Sequence, residues 1–258
     1  MTIQFRSIYI LAKDVCLAAI KGRLGWLFLI MLILCLSLAT FVGHLALIQN
    51  QALKVGVLSS ALRLATLFLL TLFIVNHIIE EQHDKRMALF LSLPLSRADY
   101  WLGKLLGCVA IIIAMTSVIT ILIMHYTLPL SALIWGGSLF CELLLMSMLA
   151  LFAAHSLGQT TAAVSVLLAF YLLSRTLSGF VYIAENRTLS LGALDQWITS
   201  TLKMITFVVP ATDQFTRSQW LINSIEDIHV LLPILIQTLI YGVLLGAASL
   251  IDLQRKNI

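Results

Sequence analysis

Six apolar runs, at residues 24–48, 57–79, 104–126, 133–155, 160–182 and 230–251, dominate this chain. A helix rises 1.5 Å per residue, so each run is long enough to cross a hydrocarbon core about 30 Å thick. Lipid offers no partner for backbone N–H and C=O groups, and a helix satisfies them within the segment. The sequence therefore predicts an all-α membrane protein with six transmembrane helices. Charge content agrees: 11% of the 258 residues are charged and the mean hydropathy is +1.02, whereas a soluble domain carries about 25% charged residues. Too few charges remain to build a water-facing surface, so residues 1–258 read as a single transmembrane domain without an internal repeat. The boundary between the fourth and fifth runs rests only on the short stretch HSLGQT, at 155–160.

Basic residues in the short loops set the orientation of such a chain. With both ends cytoplasmic, the inner side carries Arg6, Lys13, Lys21, Arg23, Lys85, Arg86, Arg97, Lys104, Arg255 and Lys256, and the outer side only Lys54, Arg187, Lys203 and Arg217. Trp26 and Trp101 fall at the inner boundary, and Trp135, Trp197 and Trp220 at or beyond the outer one, where indole rings favour the interface. The expectation is a multi-pass protein of the inner (cytoplasmic) membrane. Lys13, Asp14, Lys21 and Arg23 precede a first run too long for the core of a cleaved signal peptide. The net charge of +4 is scattered between apolar runs rather than gathered on one face, which excludes a nucleic-acid partner. Cys16, Cys35, Cys108 and Cys141 lack metal-site spacing and read as reduced packing residues, so no metal is expected.

The densest charge interrupts the chain between the second and third runs, in a coupling segment at 80–103. After Glu81, Asp84, Lys85 and Arg86, the residues Met87, Phe90, Leu91 and Pro94 follow i, i+3, i+4, i+7 spacing, one apolar stripe on a short helix that Pro94 stops. Ser96 with Asp99 three residues on forms a capping box that opens a new helix through Tyr100 and Trp101 into the third run. Two spans need only a few polar residues between them. A preformed amphipathic helix here implies a contact surface for a cytoplasmic partner.

The run E-x-x-x-K-R-M-x-x-F-L-S-L-P-L-S-R-x-x-Y-x-x-G-K, from Glu81 to Lys104, resembles the signature that follows the second span in membrane subunits of type-2 (ABC-2) ATP-binding cassette exporters. The resemblance extends to the architecture: an N-terminal interfacial segment, six spans, and an interfacial or re-entrant helix before the last. It implies that Glu81, Lys85, Arg86, Met87, Phe90, Leu91, Pro94 and Arg97 couple the chain to a separate ATPase subunit, with Met87, Phe90 and Leu91 packed in a groove of that subunit. Lys85-Arg86 stands where many members have Gly-Thr. The chain has no phosphate-binding loop, since its only Gly-Lys, Gly103-Lys104, is followed by Leu. ATP and Mg would accordingly bind to the partner ATPase, and this chain would bind no cofactor and be no enzyme itself. Six spans are half the transmembrane complement such an exporter needs, so a second permease chain is implied, within membrane lipid.

Two other functions, an intramembrane enzyme and a haem-binding membrane protein, have near-matching residues. Glu80-Glu81 followed by Lys85 and Arg86, and Phe152 with His155, each miss the spacing of an intramembrane protease by one residue, a rotation of about 100° on a helix. His44 with His125, and His77 with His155, lie at matching depths and could clamp a haem between helices. The outer segment at 185–229 contains LGALDQWITSTLKMITFVVP, helical in spacing until Pro210, and reads as lying in or dipping into the interface. Finally, Arg63, Glu142 and Arg175 lie inside runs at similar distances from the outer ends, roughly 9 to 14 Å deep at 1.5 Å per residue. A lone buried carboxylate needs a partner, so Glu142 is expected to pair with Arg175, or otherwise with Arg63.

Overall fold

A computed structural model describes residues 2–45, 50–84, 96–185, 200–201, 204–205, 209–223 and 227–255. Those residues form helices α1 (Thr2–Lys21), α2 (Leu24–Leu45), α3 (Asn50–His83), α4 (Arg97–Met124), α5 (Pro129–Leu157), α6 (Thr160–Glu185), α7 (Gln219–Ile222) and α8 (Leu231–Arg255), with single 3-10 turns at Thr212–Gln214 and Ile228–Val230. No strand occurs among the described residues. Among the described residues, six helices, α2 to α6 and α8, are long and apolar enough to cross a membrane.

Helix α5 is the axis of the bundle. It packs on α3, α4, α6 and α8, and 67% of its apolar stretch is buried, against 22% for α2 and for α8, whose outward residues face lipid. Close helix contact in a membrane depends on small side chains. Gly136 of α5 lies so close to α4 that a Cβ there would meet Thr120 Oγ1 at 2.1 Å. Gly103 and Gly107 of α4 do the same for α1, since Cβ atoms at those positions would lie 2.7 Å from Leu11 Cβ and 2.6 Å from Val15 Cβ. Helix α1 thus runs in the same direction as the start of α4, seated in a groove that two glycines keep shallow.

Helix boundaries follow local chemistry. Ser96 Oγ accepts from the Asp99 N–H at 3.1 Å, and the Asp99 carboxylate accepts from the Ser96 N–H at 3.3 Å, which closes the capping box of α4. Gly158, with φ of 63°, ends α5 in the left-handed region, so HSLGQT is a helix stop followed at Thr160 by α6. The second apolar run, expected at 57–79, is part of the longer α3, which continues to His83. Glu81 therefore lies in the last turn of a transmembrane helix rather than at the head of a separate coupling helix. Residues 85–95, and with them Lys85, Arg86, Met87, Phe90, Leu91 and Pro94, lie outside the described residues, as does most of the expected outer helix at 186–199.

The longest described part of that outer segment, residues 209–223, is a strap of turns and short helices. Phe215 and Thr216 within it are fully buried, and Trp220 and Leu221 nearly so. Non-helical backbone at membrane depth is stable only where protein, not lipid, surrounds it. Here α3, α5 and α6 provide that surrounding.

Candidate functional site

Arg63 of α3, Glu142 of α5 and Arg175 of α6 converge on this strap. Glu142, 1% exposed, accepts from Tyr171 Oη at 3.0 Å and from Thr216 Oγ1 at 2.5 Å, while its Oε1 lies 4.0 Å from Arg175 Nη1. The short contacts to two hydroxyls, more than the longer ion pair, anchor the carboxylate. Arg175 donates from Nη1 to the Thr212 carbonyl and, at 3.0 Å, to that of Phe215. Arg63 donates from Nη1 to the Thr216 carbonyl at 3.2 Å, and its Nε has no hydrogen-bond partner among the described residues. Among the described residues Arg63 makes no ion pair, so its role as the alternative partner of Glu142 is replaced by a bond to strap backbone.

Thr216 is the centre of this arrangement. Its N–H donates to Ser138 Oγ at 2.9 Å, its carbonyl accepts from Arg63, and its hydroxyl donates to Glu142. Its φ is +44°, a left-handed conformation that is strained for a β-branched residue and persists only where surrounding bonds over-determine it. Ser174 Oγ adds a bond to the Pro210 carbonyl at 2.7 Å, and Ser59 Oγ donates to Ser218 Oγ at 3.0 Å. The charges act chiefly on backbone carbonyls of the strap, those of Thr212, Phe215 and Thr216. The sequence reading missed Thr216, Tyr171 and Ser138; the buried hydroxyls have no periodic signal, and only the lone carboxylate pointed to a need for donors.

A second cluster gathers where α3 ends and α4 begins. Lys104, fully buried, places Nζ 2.9 Å from Glu81 Oε2, 3.1 Å from Asp14 Oδ2 and 3.4 Å from His77 Nε2. Glu81 is 4% exposed and is an ion-pair partner within the bundle. Arg97 donates from Nη1 to the last carbonyls of α8, Leu253 at 2.5 Å and Gln254 at 2.9 Å. Such a cation at a helix C-terminus satisfies orphan acceptors and complements the dipole. His77 stacks on Phe73, and His155 rests edge-on against Tyr100 with Nδ1 2.6 Å from its own Leu151 carbonyl.

Among the described residues, no group of His, Cys, Asp and Glu side chains is arranged to hold a metal ion. A cavity of about 300 Å³ borders Glu142 and the strap at Pro210 and Thr212, its remaining walls being apolar side chains of α5, α6 and α8. Comparison of the chain with protein-family models and with curated proteins finds no match to either.

Proposed function

We propose that this chain is the permease subunit of an ATP-driven exporter of the ABC-2 kind, working beside a second permease chain and driven by a separate ATPase subunit. The observation that carries this reading is the residue run from Glu81 to Lys104, which connects two transmembrane helices and has both described ends fastened to the bundle. At one end Glu81 is held by Lys104, which also holds Asp14. At the other, Arg97 is held by the end of α8. A push on the intervening stripe of Met87, Phe90 and Leu91 would therefore reach α1, α3, α4 and α8 together. In the proposed orientation this face is cytoplasmic, where the ATPase would close on ATP and the spans would respond by rearranging as packed bodies. The strap would lie at the opposite, outer side.

The test is Phe90→Asp with Leu91→Asp in the membrane-inserted protein co-expressed with a candidate ATPase encoded beside it. The double variant should insert at the wild-type level and lose co-purification with the ATPase. Retention of the ATPase at the wild-type yield would remove the coupling role.

A further inference from the structure

We infer that the cavity beneath the strap is a binding site for one acyl chain of a phospholipid from the surrounding bilayer. Its floor is Leu145, Met146 and Leu149 of α5, and its sides are Phe170 of α6 and Leu244 and Leu245 of α8. Both side helices pack on α5, and Leu244 is 59% exposed, so the opening between them faces sideways. Pro210 and Thr212 close the end nearest Glu142.

Three features select a hydrocarbon chain. First, a cavity of about 300 Å³ is at the small end of ligand-sized pockets, and an apolar cavity of such make-up does not hold water. Second, neither ionisable wall group is left free: Glu142 has both oxygens engaged by Tyr171 and Thr216, and Tyr241 has an interaction of its own, so no polar group is demanded of the occupant. Third, Leu149 and Glu142 lie roughly 12 and 22 Å from the C-terminal end of α5 at 1.5 Å per residue, near the middle of a helix of 29 residues. That depth is where acyl chains end. A chain entering from the side would extend the apolar packing of α5, which α6 and α8 leave incomplete, and would lie against the underside of the strap.

The experiment uses the full chain reconstituted in phosphatidylcholine vesicles doped with a phospholipid carrying a photoactivatable diazirine near the terminal methyl of one acyl chain. Labelled residues are mapped by mass spectrometry. Leu149, Phe170 and Leu245 should be labelled several-fold more than Leu239 and Val243, which face outward on the same α8. Filling the cavity by Ala248→Trp, or by the milder Leu149→Phe, should remove the excess at Phe170 and Leu245 and leave Leu239 unchanged. A diazirine placed in the headgroup should give no excess. Equal labelling of the two sets, an excess that survives both fillings, or an equal excess from the headgroup probe would overturn the site. None of these readouts involves an ATPase, so their failure is distinct from failure of the exporter reading.

Discussion

Lys104 and Arg63 are both cations buried among helices, yet one is held by carboxylates and the other by backbone carbonyl oxygen. The nearest landmarks on α3, Glu81 and Arg63, are roughly 27 Å apart along that helix at 1.5 Å per residue. Around Lys104, carboxylates from α1 and α3 meet an ammonium from α4, and three regular helices are fastened side to side. Beside Arg63, Glu142 is engaged by hydroxyls, and the guanidinium groups of Arg63 and Arg175 donate to backbone carbonyls of an irregular strap. The lesson is that similar buried charges serve different ends. The first cluster replaces solvation with ion pairs; the second supplies hydrogen bonds to a segment that lipid would leave unsatisfied.

The sharpest test of that contrast is Lys104→Met, which leaves Glu81 buried beside Asp14 without a cation. Breaking a buried pair from one side costs about 3–5 kcal/mol, so thermal unfolding in detergent should shift further for this variant than for Glu142→Gln, Thr216→Val or Ser96→Ala. A negligible shift would mean that the cluster is hydrated and not a fastening.

Glu142→Gln should cost less, about 1–3 kcal/mol, because the amide keeps an acceptor while losing the charge. Its distinctive effect should be on the strap. In a Thr212→Cys background, where position 212 is 3% exposed in the native chain, a water-soluble thiol reagent should react slowly. Adding Glu142→Gln should speed that reaction, whereas adding Lys104→Met should not at temperatures where the protein stays folded. If both substitutions speed it equally, the two clusters are one cooperative unit and the contrast fails.

The layer of Arg63, Glu142 and Arg175 was legible from counting residues inward, because charges within apolar runs are few and helical rise is constant. The strap that they hold was not legible, since Thr216 acts through its backbone and a single hydroxyl, and an irregular segment has no period to read. The same limit explains Glu81. The apolar run fades near Ile79, and nothing local reveals that α3 continues or that Lys104 and Asp14, distant in sequence, enclose the carboxylate. Ser96 with Asp99 was readable because a capping box is a contact between near neighbours. The six apolar helices were readable because the solvent imposes their length.

Thr216 offers a finer comparison. Thr216→Val removes the donor to Glu142 and should cost about 1–3 kcal/mol, again with faster labelling at position 212. Thr216→Ser retains the hydroxyl and relaxes the crowding of a β-branched residue at positive φ, so its unfolding temperature should lie close to that of the native chain. Equal losses from Val and Ser would assign the role to the methyl group's packing instead of the hydrogen bond.

The smallest expected effect is at Ser96→Ala, which opens the capping box of α4. Removing a serine cap costs about 1 kcal/mol, and the loss is confined to the first turn, where Arg97 reaches the carbonyls of Leu253 and Gln254. Lys104 lies about two turns further on at 3.6 residues per turn and is held independently by Glu81 and Asp14. The variant should therefore show a small drop in unfolding temperature, faster hydrogen exchange at the amides of Ala98 and Asp99, and unchanged thiol protection at position 212. A drop as large as that of Lys104→Met would show that the ion-pair cluster depends on the start of α4 being fixed first, and that the cap is part of the fastening.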